Sequence, residues 1–155
     1  MDNPKLINLS RVKQVVNEFL RQQNPDSIIP VPIEEIVELK LNIKVILING
    51  LIRDFGINAF ISQSFDTIVI DEQMFMRQPE RIRFTLAEEI GHLFLHRDWY
   101  LASGPKGIED YLSWQEKLDG ELFSYIERQA KTFASMVRMS NIIFMFVSNG
   151  FSVEV

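Results

Sequence analysis

The sequence predicts an α+β fold: a small antiparallel or mixed three-stranded sheet packed against a bundle of helices. Three observations carry that expectation. Apolar residues recur at helical spacing early in the chain, over 79–97 and over 119–138. Short β-rich runs bounded by turn residues lie between the first and second of these segments. The order is helices, then strands, then helices, without the strand–helix alternation of a parallel α/β sheet.

Residues 9–22 place Val12, Val15, Val16, Phe19 and Leu20 on one stripe, with Arg11, Lys13, Asn17, Glu18 and Arg21 elsewhere. Ser10 is the expected N-cap, and the helix should stop before Asn24-Pro25. Pro30-Val31-Pro32 leads into Ile33-Glu34-Glu35-Ile36-Val37-Glu38-Leu39, where a proline and early acidic residues favour a short helix. Ile43 to Ile48 reads as a strand ended by Asn49-Gly50. Ile57 to Ile61 and Thr67 to Ile70 read as two more, joined as an antiparallel hairpin through residues 62–66. Pro79 opens the next helix, expected over 79–97 with Ile82, Leu86, Ile90, Leu93 and Phe94 facing a core. Residues 101–116 read as irregular because Gly104-Pro105-Lys106-Gly107 is a loop signal. A last long helix is expected over 119–138. Beyond 140, Ser148-Asn149-Gly150-Phe151 fits either a hairpin turn or a helix end.

A chain of 155 residues suits one domain, taken here as 1–155, and can bury a real core. The net charge of −5 and the lack of a basic stripe argue against direct nucleic-acid binding. There are no cysteines, so disulfides and thiolate metal sites are excluded, and any metal must use His, Asp or Glu. The start, Met1-Asp2-Asn3-Pro4-Lys5, has no signal-peptide pattern, and no apolar run approaches the ~20 residues that span a bilayer. The expectation is a cytoplasmic protein with no membrane partner.

Residues 84–92 read Phe84-Thr85-Leu86-Ala87-Glu88-Glu89-Ile90-Gly91-His92. This is similar to the zinc-peptidase helix motif H-E-x-x-H with its first histidine replaced by Glu88. Positions four apart on a helix are separated by about 40° around the axis, so Glu88 and His92 share a face, with Glu89 about 60° from His92 on its flank. In such a site two ligands four residues apart grip one ion, and the intervening glutamate polarises a metal-bound water. A carboxylate can replace an imidazole on zinc, at the cost of more negative charge around the ion and weaker Lewis acidity. The competing reading of Glu88-Glu89 is a solvated helix face. The apolar or small neighbours Leu86, Ala87, Ile90, Gly91, Leu93, Phe94 and Leu95 argue for burial instead, and buried carboxylates need a cation or good donors. His96, one turn past His92, is either an alternative ligand or a histidine satisfied at the helix end. Gly91 would let another element approach the helix closely.

The longer string Arg83-Phe84-Thr85-Leu86-Ala87-Glu88-Glu89-Ile90-Gly91-His92-Leu93-Phe94-Leu95-His96 resembles the core of ImmA/IrrE-type metallopeptidases, approximately R-F-T-L-A-H-E-L-G-H-L-L-L-H. Every position but Glu88 matches or changes conservatively. A second segment, Ile126 to Ser140, resembles the family's E-x-x-A-N-x-F-A-x-x-L-L-M-P, whose leading glutamate is the third metal ligand and corresponds to Glu127. The stripe Ile126, Ala130, Phe133, Ala134 and Val137 would bury one face of that closing helix and aim Glu127 at the active-site helix. Glu127 could otherwise be a surface charge paired with Arg128 or Lys131. The resemblance covers about residues 10–140. Lys131 departs from the usual asparagine, and Arg138 and Ser140 stand in place of leucine and proline. An arginine there implies that this end of the helix is exposed or repacked.

The resemblance implies a zinc-dependent regulatory peptidase of bacteria, phages or mobile elements, acting on a helix-turn-helix repressor or similar protein. Glu88, His92 and Glu127 would hold Zn2+, weakly because of Glu88, and Glu89 would be the catalytic general base. Tyr100, Tyr111 and Tyr125 are the candidates for stabilising an oxyanion. A substrate peptide could pair with an exposed sheet edge. The alternative is an inactive pseudopeptidase that binds a protein partner without cleaving it.

Overall fold

The computed structural model of the chain describes residue 4 and residues 7–148, with 141–148 by backbone alone. Helix α1 (Leu9–Gln23) buries Val12, Val15, Val16 and Phe19 on the expected stripe. Its cap is Asn8, not Ser10: the Asn8 side chain accepts from the Arg11 amide at 2.9 Å. Asn24 ends the helix, and its side-chain amide both donates to and accepts from the Ile28 backbone.

Helix α2 (Ile33–Glu35) starts behind Pro32 and widens into a π-helical turn over Ile36–Lys40, closed by Leu41 N–H donating to the Ile36 carbonyl at 2.8 Å. Strand β1 (Lys44–Ile48) follows, then helix α3 (Leu51–Phe55), strand β2 (Ala59–Ile61), strand β3 (Thr67–Asp71) and helix α4 (Glu72–Arg77). The sequence reading missed α3 and α4. Helix α3 is a single short turn between Gly50 and Gly56, both at positive φ (77° and 68°), so the Asn49-Gly50 that ends β1 also opens a helix.

The sheet order is β1-β3-β2. Strand β2 pairs antiparallel with β3, as the hairpin predicts, and β1 runs parallel to β3 in the register Ile46↔Val69. The central strand is apolar through Ile68, Val69 and Ile70 because both of its faces are covered. Asp71 ends it. One carboxylate oxygen accepts from the Ile52 amide (3.0 Å) and the other from the Met74 amide (2.9 Å), tying β3 to α3 and capping α4. Burial pushes the Asp71 carboxyl up, but backbone donors led by Ile52 and Met74 outweigh it and hold the group below its ordinary value.

Helix α5 (Pro79–Leu95) ends before 97, at His96, whose backbone leaves helical geometry at φ −125° and ψ 21°. Of the residues expected to face the core, Ile82, Leu86 and Ile90 are buried, while Leu93 and Phe94 are only half-buried. The expectation of irregular structure over 101–116 is wrong. Helices α6 (Arg97–Ser103) and α7 (Ile108–Lys117) flank the Gly104–Gly107 break. They form because Trp99, Tyr100, Tyr111 and Trp114 pack together, with ring centroids 5.6–5.9 Å apart where α6 and α7 meet and within α7, and because the Trp114 indole N–H donates to the Ser103 carbonyl. Tertiary burial of aromatic rings overrides the local turn signal.

Helix α8 (Gly120–Ser148) continues ten residues past the expected end at 138. Ile126, Ala130, Phe133, Ala134 and Val137 are its buried stripe, and Arg138 is exposed as expected. Of the ambiguous Ser148–Phe151 turn, Ser148 is the last described residue of α8 and the rest lies outside the described residues. Helices α5 and α8 make the most extensive helix contact of the fold, and Gly91 explains their closeness. A Cβ at Gly91 would lie 3.2 Å from the Phe133 ring and 3.3 Å from the Ala130 backbone. Among the described residues no helix is long and apolar enough to cross a membrane.

Candidate functional site

The α5–α8 contact brings the motif residues together. His92 is 1% exposed, and its Nε2 lies 3.3 Å from Glu127 Oε1. Glu127 therefore faces α5 and is not a surface charge paired with Arg128 or Lys131. Glu88 is half-buried on the same side, close enough to feel the Glu127 charge. Glu89 is buried close to the Ile61 backbone, because β2 is the sheet edge that packs on α5. Neither glutamate of the pair lies on a solvated face.

Three carboxyl groups within reach of one another cannot all ionise at ordinary cost. Burial pushes Glu88 up to about 7, helped by the Glu127 charge and opposed by Lys131 and His92. Glu89 rises well above the carboxylate range, through burial first and then through Glu127 and Glu88. Burial also pushes Glu127 up, but the close approach of His92, together with Lys131, reverses the shift and leaves it below its ordinary value. The shifts thus favour ionisation at Glu127 over Glu88 and Glu89.

His96 is neither a ligand facing the carboxylates nor a histidine satisfied by a backbone carbonyl. It is 2% exposed, with Nδ1 3.0 Å from His92 Nδ1 and Nε2 2.7 Å from Gln129 Oε1. Burial, and then the neighbouring His92, lower its pKa to about 3. The Gln129 amide NH2 donates to the Ile7 carbonyl (2.8 Å) and to the Tyr125 hydroxyl (2.6 Å). That hydroxyl also accepts from the Ile7 amide at 2.8 Å. Tyr125 is therefore committed to the N-terminal segment and does not serve an oxyanion. Tyr100 and Tyr111 remain. The Tyr100 ring lies 5.0 Å from that of His92, and the Tyr111 ring stacks on Phe60 of β2 at 4.6 Å. Both hydroxyls are held neutral by burial first, then by the Glu89 and Glu127 charges.

Sequence reasoning missed Gln129. The available signal was a polar residue on the apolar stripe, three positions after Ile126 and four before Phe133. A cavity of about 920 Å3 borders His96, Trp99 and Trp114; Glu88, Glu89, His92 and Glu127 do not line it.

One imidazole nitrogen and two carboxylates match the donor types of a zinc site. Among the described residues, however, no group of three or more such side chains is arranged to hold a metal ion. His92 closes on Glu127 at 3.3 Å, so the donors fit in kind while these two side chains close on one another. Comparison with models of known families, with curated proteins and with solved structures finds no match.

Proposed function

We propose that this chain is a metallopeptidase-like regulatory protein of the ImmA/IrrE type, acting in the cytoplasm on a protein substrate such as a helix-turn-helix repressor. The single observation that carries the reading is the His92 Nε2–Glu127 Oε1 approach at 3.3 Å, between residues that the motif and the closing helix each nominate separately. Glu88 beside them supplies the third donor. His92, Glu127 and Glu88 are the side chains that would hold Zn2+. When bound, the ion would polarise the scissile carbonyl and acidify a water molecule. Glu89, buried against Ile61, would carry the proton from that water to the leaving amine. Tyr100 and Tyr111, neutral and close enough to feel the Glu89 charge, are the remaining hydroxyl donors for an oxyanion. Strand β2, the edge that packs on α5, is the sheet edge a substrate peptide would align with.

A second reading has an observation of its own. The Glu127 carboxylate closes on His92 at 3.3 Å, a contact that forms without an ion. A pseudopeptidase would keep this closed arrangement and use the cleft to bind a partner without cleaving it. Incubation of the zinc-loaded protein with an unfolded protein substrate separates the two. Zinc-dependent cleavage that disappears in Glu89→Gln supports the peptidase. Stable binding without cleavage supports the second reading.

A further inference from the structure

The hydrogen bonds behind His92 leave no freedom in where its proton sits. The Ile7 carbonyl can only accept, so Gln129 must present its NH2 there and its Oε1 to His96. Gln129 Oε1 can only accept, so His96 Nε2 carries the hydrogen and, in the neutral ring, His96 Nδ1 carries none. His92 Nδ1, 3.0 Å from that bare nitrogen, must then donate. In the neutral ring its own Nε2 is left with a lone pair, 3.3 Å from Glu127 Oε1. An imidazole that ligates through Nε2 needs this tautomer, with the other nitrogen donating to a fixed acceptor.

We infer that His96 and Gln129 are positioning residues: with the Ile7 backbone as its fixed end, their hydrogen-bond chain locks His92 as the Nδ1–H tautomer and presents Nε2 to Glu127 and Glu88. The link to a hydrolytic centre rests on the peptidase reading above; the tautomer lock does not. Burial supports the chain's integrity, since His92, His96 and Gln129 are 1%, 2% and 6% exposed and water cannot readily replace a partner. The Tyr125 hydroxyl completes it by accepting from both the Ile7 amide and Gln129. The segment preceding α1 is thereby tied to the side-chain chemistry of α5.

The chain has only two histidines, so imidazole nitrogen NMR resolves both rings. The probe is zinc-free, 15N-labelled full chain at about pH 9, above the ordinary imidazole range. The expected spectrum shows His96 as Nε2–H and His92 as Nδ1–H. Gln129→Leu removes the acceptor and should shift His92 toward a tautomer mixture. Gln129→Glu keeps an acceptor for His96 Nε2–H and should retain the lock. A dispersed backbone amide spectrum verifies folding of each variant. A wild-type His92 in the Nε2–H form overturns the inference whether or not the variants fold, as does an unchanged His92 in folded Gln129→Leu. Zinc titration supplies the functional arm. Gln129→Leu should bind zinc about 10–100-fold more weakly with Glu88, His92 and Glu127 intact, and equal affinity overturns the positioning role. Absence of zinc binding by either protein overturns the metal reading alone, and the imidazole spectrum still decides the lock.

Discussion

His92 on α5 and Glu127 on α8 face each other across 3.3 Å, and the contact exists because Gly91 lets the two helices approach. The tautomer set by His96 leaves His92 Nε2 unprotonated in the neutral ring, so two lone-pair-bearing atoms confront one another. Such an arrangement is stabilised by a cation between them, either a proton or a metal ion.

Gly91→Val tests the helix contact. The added atoms meet the Phe133 ring and the Ala130 backbone, and the backbone cannot rotate away. Overpacking of this kind costs about 1–3 kcal/mol. Chemical denaturation should show that loss with an unchanged denaturant slope. A variant as stable as the parent would mean that the helices are farther apart than described.

Asp71→Ala tests the staple between the sheet and its flanking helices. It removes the cap of α4 and leaves the Ile52 amide without its acceptor. Loss of a cap costs about 1 kcal/mol and an orphaned buried amide about 1–3 kcal/mol more. The urea midpoint should fall accordingly, and a loss of only a few tenths would contradict the double role.

The carboxyl cluster makes stability depend on pH in an unusual direction. The folded Glu88 carboxyl titrates near 7, against an ordinary value of 4.5. Between those values the unfolded chain has released its proton while the folded protein keeps it, so stability falls as pH rises from 4.5 to 7 and levels off above. Glu89 acts in the same direction and extends the fall to higher pH. Glu127, held below its ordinary value, acts oppositely but only in more acidic solution. His96, lowered from 6.5 to about 3, acts oppositely up to about pH 6.5, where Glu88 and Glu89 together outweigh it. Zinc-free protein should therefore melt several degrees higher at about pH 5.5 than at about pH 8. Glu88→Gln should shrink that difference. A melting point that climbs steadily over the same window would refute the assignment.

Glu88→His restores the missing imidazole of the motif. Zinc no longer has to displace a proton held to about pH 7 by a buried carboxyl, and the ion is less negatively surrounded. Zinc affinity near neutral pH should rise at least tenfold by calorimetry. An unchanged or lower affinity would show that position 88 does not reach the ion.

The parts of the fold that could be read from the chain are those where local pattern and tertiary burial agree. The stripes of α1 and α8 and the β2–β3 hairpin are of this kind, because one apolar face at the right period has one place to go. The motif face of α5 was legible for the same reason. Helices α6 and α7 were not, because Gly104-Pro105-Lys106-Gly107 suggests a loop while the aromatic packing that creates the helices is a tertiary fact. The role of His96 was illegible because it depends on an acceptor supplied by Gln129 from α8, and that side chain is oriented by Ile7 at the far end of the chain. A tautomer is a property of a hydrogen-bond chain, and no spacing rule reports it.

The most direct measurement is equilibrium zinc titration of the metal-free protein at about pH 8, where Glu88 has released its proton. The account predicts one ion bound per chain, with affinity lowered at least tenfold in Glu127→Ala and in Glu88→Ala. A protein that takes up no zinc, or whose zinc binding is indifferent to Glu127, would contradict it.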